Sequence, residues 1–375
     1  MLGISLFAIM GTLLFFLVYI LDQLERLVKP PDKNRLYQHA PVIRLKVFAI
    51  SFTSPNNYTM VKSFVLAPMA EISHRALREL IEGFKTSGGG TAKTGADEYF
   101  TEMISAGALV SGGPFEAWYT DGGPCPEKLV YQIVGADEKQ LIQAVILLDR
   151  FECLGIDINM GCSAPAITRT GAGVRWMADI DRAGALIRQI RPKTSRRLSV
   201  KLRTGLEDNF DYLVSFCRRL EEEGVELITL HPRTAREKFK RRARWDYVSS
   251  LRKELHIPLA GNGDIASAEE MLRRSEDCDA VMIGRLAVRK PWVFAEAFNV
   301  DLITQINIEE IGLSFLELLS RYQPPEFHLS RARRFFSYFC DNLKWGNHVK
   351  NLLNRETDLE GIERAWRGYF AEVRE

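Results

Sequence analysis

Eight short apolar runs recur along the chain from Lys62 onward, each closed by Gly, Pro or a polar residue. They are Ser63–Leu66, Ala96–Phe100, Leu129–Val134, Gly155–Asn159, Leu198–Leu202, Glu226–Leu230, Pro258–Gly261 and Ala280–Ile283. Their brevity and punctuation predict buried strands. The stretches between them repeat at helical spacing. Asp137–Glu152 gathers Leu141, Ala144, Leu147 and Leu148 on one face, and Asn209–Glu223 gathers Tyr212, Leu213, Phe216 and Leu220. Eight βα units in about 230 residues is the arithmetic of an α/β (β/α)8 TIM barrel. A doubly wound sheet seldom needs eight strands in strict alternation. After Trp292 the strand pattern stops. Ile308–Arg321, Leu329–Leu343, Gly346–Asn354 and Leu359–Val373 read as helices, and Pro324 and Pro325 break the first from the second. The expected organisation is a catalytic barrel over residues 60–298 and a small all-helical domain over residues 299–375. Gly88–Gly90 reads as a surface insertion, because no strand precedes it as a phosphate loop requires.

The 375 residues are 46% hydrophobic and 26% charged, which excludes a disordered, collagenous or coiled-coil chain. A net charge of +2 means that any nucleic-acid signal must be local. The six cysteines include no Cys-x-x-Cys pair, so no cysteine-held metal is expected and free thiols in a reducing compartment are. The N-terminus departs from this pattern. Residues 1–21 carry no charge and are long enough to cross a bilayer. Arg26, Lys29, Lys33 and Arg35 follow and would hold the rest on the cytoplasmic side. Residues 1–59 thus read either as a transmembrane anchor plus linker or as an upstream start assigned in error, with Met60 opening the working protein. Both readings leave a cytoplasmic body, and membrane contact is expected only if residues 1–21 are real.

In a barrel of this kind, chemistry sits at the C-terminal strand ends. There the sequence places Ala67-Pro68-Met69, Gln132, Asn159-Met160-Gly161-Cys162, Lys201-Leu202-Arg203, His231-Pro232-Arg233, Gly261-Asn262-Gly263 and Gly284-Arg285. Glycines after strands seven and eight suit a phosphate held by backbone N–H groups. Gln132 alone could be a satisfied core amide. Lys201, set among strand apolars, needs an anionic partner. A phosphate grip, an amide and a cation facing a ring, and a candidate acid together suit a phosphorylated ring cofactor such as FMN. PLP on Lys201 stays open on these residues. Cys162 lies on a glycine-flanked turn at a strand end. A thiol there can donate a proton to a carbanion-like centre. The alternative is a thiolate nucleophile, with His231 as the base. Cys153, Cys217, Cys278 and Cys340 sit within elements and read as structural.

The stretches "APMAEISHRALREL", "GADEYFTEMISAGAL", "VYQIVG", "IDINMGC", "GAGVRWM", "VKLRTG", "ITLHPRT", "LAGNGDI", "VMIGR" and "PWVF" occur in order from Val61 to Phe294. In them the chain resembles the tRNA-dihydrouridine synthases, FMN-dependent barrels with a C-terminal helical domain. The resemblance implies that Cys162 donates a proton to uracil C5, hydride reaches C6 from FMN, and NADPH or NADH reduces the flavin. It implies flavin contacts for Ala67, Pro68, Met69, Gln132, Lys201 and His231, and a phosphate grip for Gly261, Asn262, Gly263, Gly284 and Arg285. Asn159 matches a residue near the target uracil. Two departures bear on loop shape: Ser163-Ala164-Pro165 follows Cys162 where the family usually has Pro at once, and Pro232 stands where Gly is common.

tRNA is the partner that this resemblance implies, and two basic stretches suit it. Residues 233–244 carry seven basic residues against Glu237, among them Arg233, Arg236 and Lys240 at the barrel mouth. Residues 321–355 carry seven more against Glu326 and Asp341. Arg331, Arg334 and Tyr338 fall on neighbouring helical turns there, so this face and Arg203 at the mouth are expected to meet tRNA. The rival readings are an FMN barrel acting on a free small molecule, as dihydroorotate dehydrogenases do, and a tRNA-binding module without catalysis.

Overall fold

The computed structural model describes residues 63–84, 95–123, 125–298 and 306–374. Thr59–Glu375 forms one compact unit. The readings of residues 1–59 and of Gly88–Gly90 fall outside the described residues. Among the described residues, no helix is long and apolar enough to cross a membrane.

Eight strands close into a parallel barrel in chain order: β1 (Ser63–Leu66), β2 (Glu98–Ser105), β3 (Leu129–Val134), β4 (Gly155–Met160), β5 (Arg197–Gly205), β6 (Leu227–Thr234), β7 (Leu259–Asn262) and β8 (Ala280–Ile283). The β1–β8 pairing, from Ser63 opposite Ala280 to Leu66 opposite Ile283, completes the ring. Strands covered on both faces read as near-continuous apolar runs. Accordingly, every residue of β3 and β4 is buried. Side chains at the first turns start the flanking helices: Asp137 accepts from Gln140 N, and Asn209 accepts from Tyr212 N.

Three strands reach three residues or more beyond their predicted ends, and β4 and β7 reach one residue beyond theirs. β2 runs on to Ser105, β5 to Gly205 and β6 to Thr234. The added residues are largely polar, so composition argues against a strand, yet their backbone groups still pair across the sheet: Arg203 stands opposite His231. The register of β5 on β6 shifts between Arg203 and Gly205. Such irregularities re-aim side chains at barrel rims.

Among the described residues the tail has four α-helices: Ile308–Tyr322, Pro325–Phe339, Gly346–Arg355 and Leu359–Arg374. The second begins four residues before its predicted start. Pro325 occupies its first turn, where proline has no hydrogen bond to lose. Phe315 stacks on Phe335 with ring centroids 3.7 Å apart, and Trp366 packs on Phe336 at 4.8 Å. A Cβ on Gly312 would stand 2.6 Å from the Trp366 indole, so only glycine lets these helices meet. The tail docks on the barrel through Phe327 against Phe115 at 4.6 Å and through Arg331 on Glu102 of β2.

Candidate active site

A cavity of about 690 Å³ opens at the C-terminal strand ends. Its floor and walls include Pro68, Met69, Met103 and Met282, and its polar groups include Cys162, Lys201, His231, Asn262 and Arg285. Arg334 and Tyr338 of the tail complete the rim. This size and this mixture of apolar walls with a few convergent polar groups suit a cofactor.

Cys162 lies at the wall on a loop fixed at both of its backbone groups. Asn159 Oδ1 accepts from Cys162 N at 2.9 Å and from Gly161 N at 3.2 Å. Val174 N donates to the Cys162 carbonyl at 3.0 Å. The second contact needs Gly173, whose φ is +62° and whose Cβ, if present, would stand 2.4 Å from that carbonyl oxygen. The "TGAG" stretch thus folds back to hold the cysteine loop. Pro165 opens the short helix Pro165–Thr168, so the Ser163-Ala164 insertion serves as its lead-in.

Across the cavity, Asn262 organises the cations. Its Oδ1 accepts from Lys201 Nζ at 3.0 Å and faces His231 Nδ1 at 3.1 Å, while its Nδ2 donates to Met282 O at 2.7 Å. Arg233 Nη1 stands 3.1 Å from His231 Nε2. A guanidinium cannot accept, so Nε2 carries the lone pair and Nδ1 the proton. Burial, with Lys201 and Arg203 nearby, holds His231 well below the usual histidine range, and the imidazole is neutral. Burial and Arg203 also lower Lys201 to about 8, with Asp157 and Cys162 working the other way. Asp264 receives Arg233, Ala243 N and Arg285. Although burial opposes it, the hydrogen bond from Arg233 keeps Asp264 below the usual carboxylate range.

Ala67, Pro68, Met69, Asn159, Cys162, Lys201, Arg203, His231, Asn262, Gly263, Gly284 and Arg285 all meet at this one cavity, as the sequence had grouped them. A Cβ on Gly284 would point at Met69 Sδ, 3.3 Å away, and Gly263 has a φ of +131°. A Cβ on Gly263 would also stand 3.0 Å from the Ala243 side chain, so packing as well as backbone conformation keeps it glycine, and both glycines border the cavity.

Several expectations need correction. Gln132 is fully buried and does not line the cavity. Its amide donates to Asp157 Oδ2 at 2.8 Å and accepts from Asn159 Nδ2 at 2.9 Å, so it stands behind the wall. Gly261 does not line the cavity, and a Cβ there would stand 2.4 Å from the Trp245 ring, so packing accounts for this glycine. Arg233 and Arg331 are each only 2% exposed and cannot meet a phosphate backbone. Arg233 is spent on His231 and Asp264, and Arg331 on Glu102. Arg203 is buried too. It ties the carbonyl of Gly161 to those of Thr234 and Lys238. Arg334 is half exposed but pairs with Glu71 at 3.0 Å. Arg236 and Lys240 remain exposed, with Arg241 and Arg242 beside them.

Sequence reasoning passed over Phe239 and Asp157. Phe239 is 63% exposed at the rim, with the guanidiniums of Arg203, Arg233 and Arg285 at 5.4–5.9 Å from its ring. An aromatic inside a run of cations was its signal. For Asp157 the signal was a carboxylate in the middle of an apolar strand.

The profile of the dihydrouridine synthase family matches residues 65–367. A probable tRNA-dihydrouridine synthase of Aquifex aeolicus is 32% identical over 266 residues, covering 68% of this chain and 78% of that protein. A probable tRNA-dihydrouridine synthase of Helicobacter pylori is 29% identical, covering 82% and 92%. The tRNA-dihydrouridine synthase B of Pasteurella multocida is 24% identical over 332 residues, covering 84% and 94%.

Proposed function

The chain belongs to the dihydrouridine synthase family, and from that premise we propose that it reduces the C5=C6 bond of a uridine in tRNA, with FMN at the barrel mouth and NADPH or NADH as reductant. The observation that carries this reading is Cys162: a thiol at the wall of a cofactor-sized cavity, with its backbone clamped at N and at O.

The donor set fits FMN. Met69 and Met282 offer an apolar floor, Lys201 a cation facing the ring, and Gly263, Gly284 and Arg285 open backbone and charge for the phosphate. Bound there, FMN would supply hydride chemistry for C6 of the uracil. Cys162 supplies the proton to C5, so the base gains two electrons and two protons in all. Lys201 stabilises negative charge on the ring from a site where burial strengthens every interaction. His231 is held at both nitrogens, by Asn262 and Arg233, so it is no free base for Cys162. That favours the thiol as acid over the thiolate as nucleophile. Asn262, whose Oδ1 also faces the imidazole Nδ1, keeps Lys201 aimed into the cavity.

A uridine inside folded tRNA reaches such a site only by leaving its stack. Phe239 at the rim offers an aromatic face, and Arg236 and Lys240 offer exposed cations for the phosphates outside. The helical tail borders the cavity through Arg334 and Tyr338, so RNA at the mouth meets both parts of the chain.

The test is specificity of reoxidation. FMN-loaded protein reduced by NADPH under argon is mixed with unmodified tRNA, free uridine or orotate. Rapid reoxidation by tRNA alone is expected. Reoxidation by a free pyrimidine and not by tRNA would make the protein a small-molecule flavoenzyme.

A further inference from the structure

Behind the cavity wall, β3, β4 and β5 place Gln132, Asp157 and Ser199 side by side, because Asp157 stands in register with both neighbours. All three are fully buried. Asp157 Oδ1 accepts from Ser199 Oγ at 2.7 Å, and Oδ2 accepts from Gln132 Nε2 at 2.8 Å. Gln132 Oε1 accepts from Asn159 Nδ2, and Asn159 Oδ1 accepts from the backbone N–H groups of Gly161 and Cys162. We propose that Asp157 is a positioning residue, which fixes the direction of this amide chain and thereby the place of the Cys162 thiol at the cavity wall.

A carboxylate only accepts, and a backbone N–H only donates. Between those fixed ends, two amides satisfy every bond in one arrangement alone: each nitrogen toward Asp157, each oxygen toward Cys162. Without an acceptor at 157, Gln132 Nε2 faces an apolar interior with no partner. Turning the amide over trades the stranded N–H for a stranded carbonyl oxygen, the less costly of the two, but then Nε2 meets Asn159 Nδ2. Asn159 must turn as well, which sets its Nδ2 against two backbone donors. The disturbance arrives at Cys162.

Burial pushes Asp157 up to about 6, and the hydrogen bonds from Ser199 and Gln132, with Lys201 and Arg197 at longer range, only partly offset that. Among the described residues no cation stands within ion-pair distance of Asp157, and a buried carboxylate without a direct partner is costly. An apolar side chain would fill the position more cheaply if packing were its only task. The inference rests on the reading of Cys162 as proton donor, and it adds residues that neither touch substrate nor line the cavity.

Three variants of the full chain test it: Asp157→Leu removes the acceptor at similar size, Gln132→Leu breaks the next link, and Asp157→Asn keeps an oxygen for Gln132 while its amide donates to Ser199. Hydrogen exchange at the Gly161 and Cys162 amides is read without flavin, and kcat and KM for tRNA with it. Both Leu variants should speed exchange at these amides about tenfold or more, with flanking strands still protected. Their kcat should fall about 10²-fold at unchanged KM, as for a misplaced reacting group. Asp157→Asn should recover most of both. If Asp157→Leu fails to fold, Gln132→Leu and Asp157→Asn decide. Wild-type exchange at Gly161 and Cys162 in a folded Leu variant overturns the relay, as does an Asn variant as impaired as Leu. The outcome is separable from that of the proposed function: altered exchange in a protein that makes no dihydrouridine keeps the relay and sinks the activity.

Discussion

Cys162 stands where chemistry and backbone geometry meet. Its carbonyl and N–H are both bonded, while its side chain faces the cavity. Replacing it by alanine leaves those backbone bonds intact and removes only the proposed acid. Cys162→Ala should bind flavin and tRNA as the wild type does and lose about 10²–10⁴-fold in turnover, the usual worth of a positioned acid. Equilibrium binding beside a turnover assay checks this, and undiminished turnover would remove the role. Lys201 offers a pH signature. Its value lies near 8 because burial and Arg203 disfavour the charged form. A function that depends on its positive charge is present below that value and fades as pH rises through it. Flavin reduction by NADPH should therefore slow across pH 8 in the wild type and stay flat there in Lys201→Met, as a stopped-flow pH series would record. Residue identities at the strand ends were legible in the sequence, because polar groups closing apolar runs are conspicuous. The jobs of Gln132, Arg203 and Arg233 were not. Whether a polar side chain faces a ligand or a neighbouring carbonyl depends on loops that meet only after folding.

At the scale of elements, the loop after β4 is held by a later segment, through Val174 N on the Cys162 carbonyl. Gly173 is the hinge of that contact: a left-handed residue pressed on the Cys162 carbonyl. Gly173→Ala adds a Cβ where only 2.4 Å is free and imposes a left-handed alanine, worth roughly 1–2 kcal/mol by itself. Denaturant unfolding should show at least that loss, and turnover should fall more than flavin affinity does, since the displaced group is the acid loop. Equal losses in both would mean that the contact supports the whole mouth. The "TGAG" stretch was visible in the sequence as a motif, but its partner was not, because nothing in the chain's pattern says which carbonyl a glycine approaches. The strands were legible as elements. Their mouth ends were not, since there pairing outlasts apolar composition, as β5 and β6 show by running through Arg203 and His231.

For the whole molecule, the junction of barrel and tail changes the reading of the basic helix. Arg331 is buried on Glu102, which burial pushes up and Arg331 pulls down. Glu102 also accepts from Glu71 N at 2.6 Å, and Glu71, at φ +63°, carries the carboxylate that pairs with Arg334. The tail therefore clasps the β1 loop that contributes Met69 to the cavity. Arg331→Met leaves Glu102 buried and unpaired, which should cost about 3–5 kcal/mol of stability. It should leave the salt dependence of tRNA affinity unchanged. Arg236→Ala with Lys240→Ala should do the reverse, flattening that slope by about 1–2 with little loss of stability. Melting curves and salt titrations of the two variants separate these roles.

The central claim is that this barrel reduces a uridine within tRNA. The most direct measurement incubates the protein anaerobically with FMN, NADPH and unmodified tRNA, then digests the RNA and weighs its nucleosides. A uridine heavier by two hydrogens, formed by the wild type and not by Cys162→Ala, is the predicted result. Unchanged nucleosides, from protein whose bound flavin NADPH has fully reduced, would contradict it.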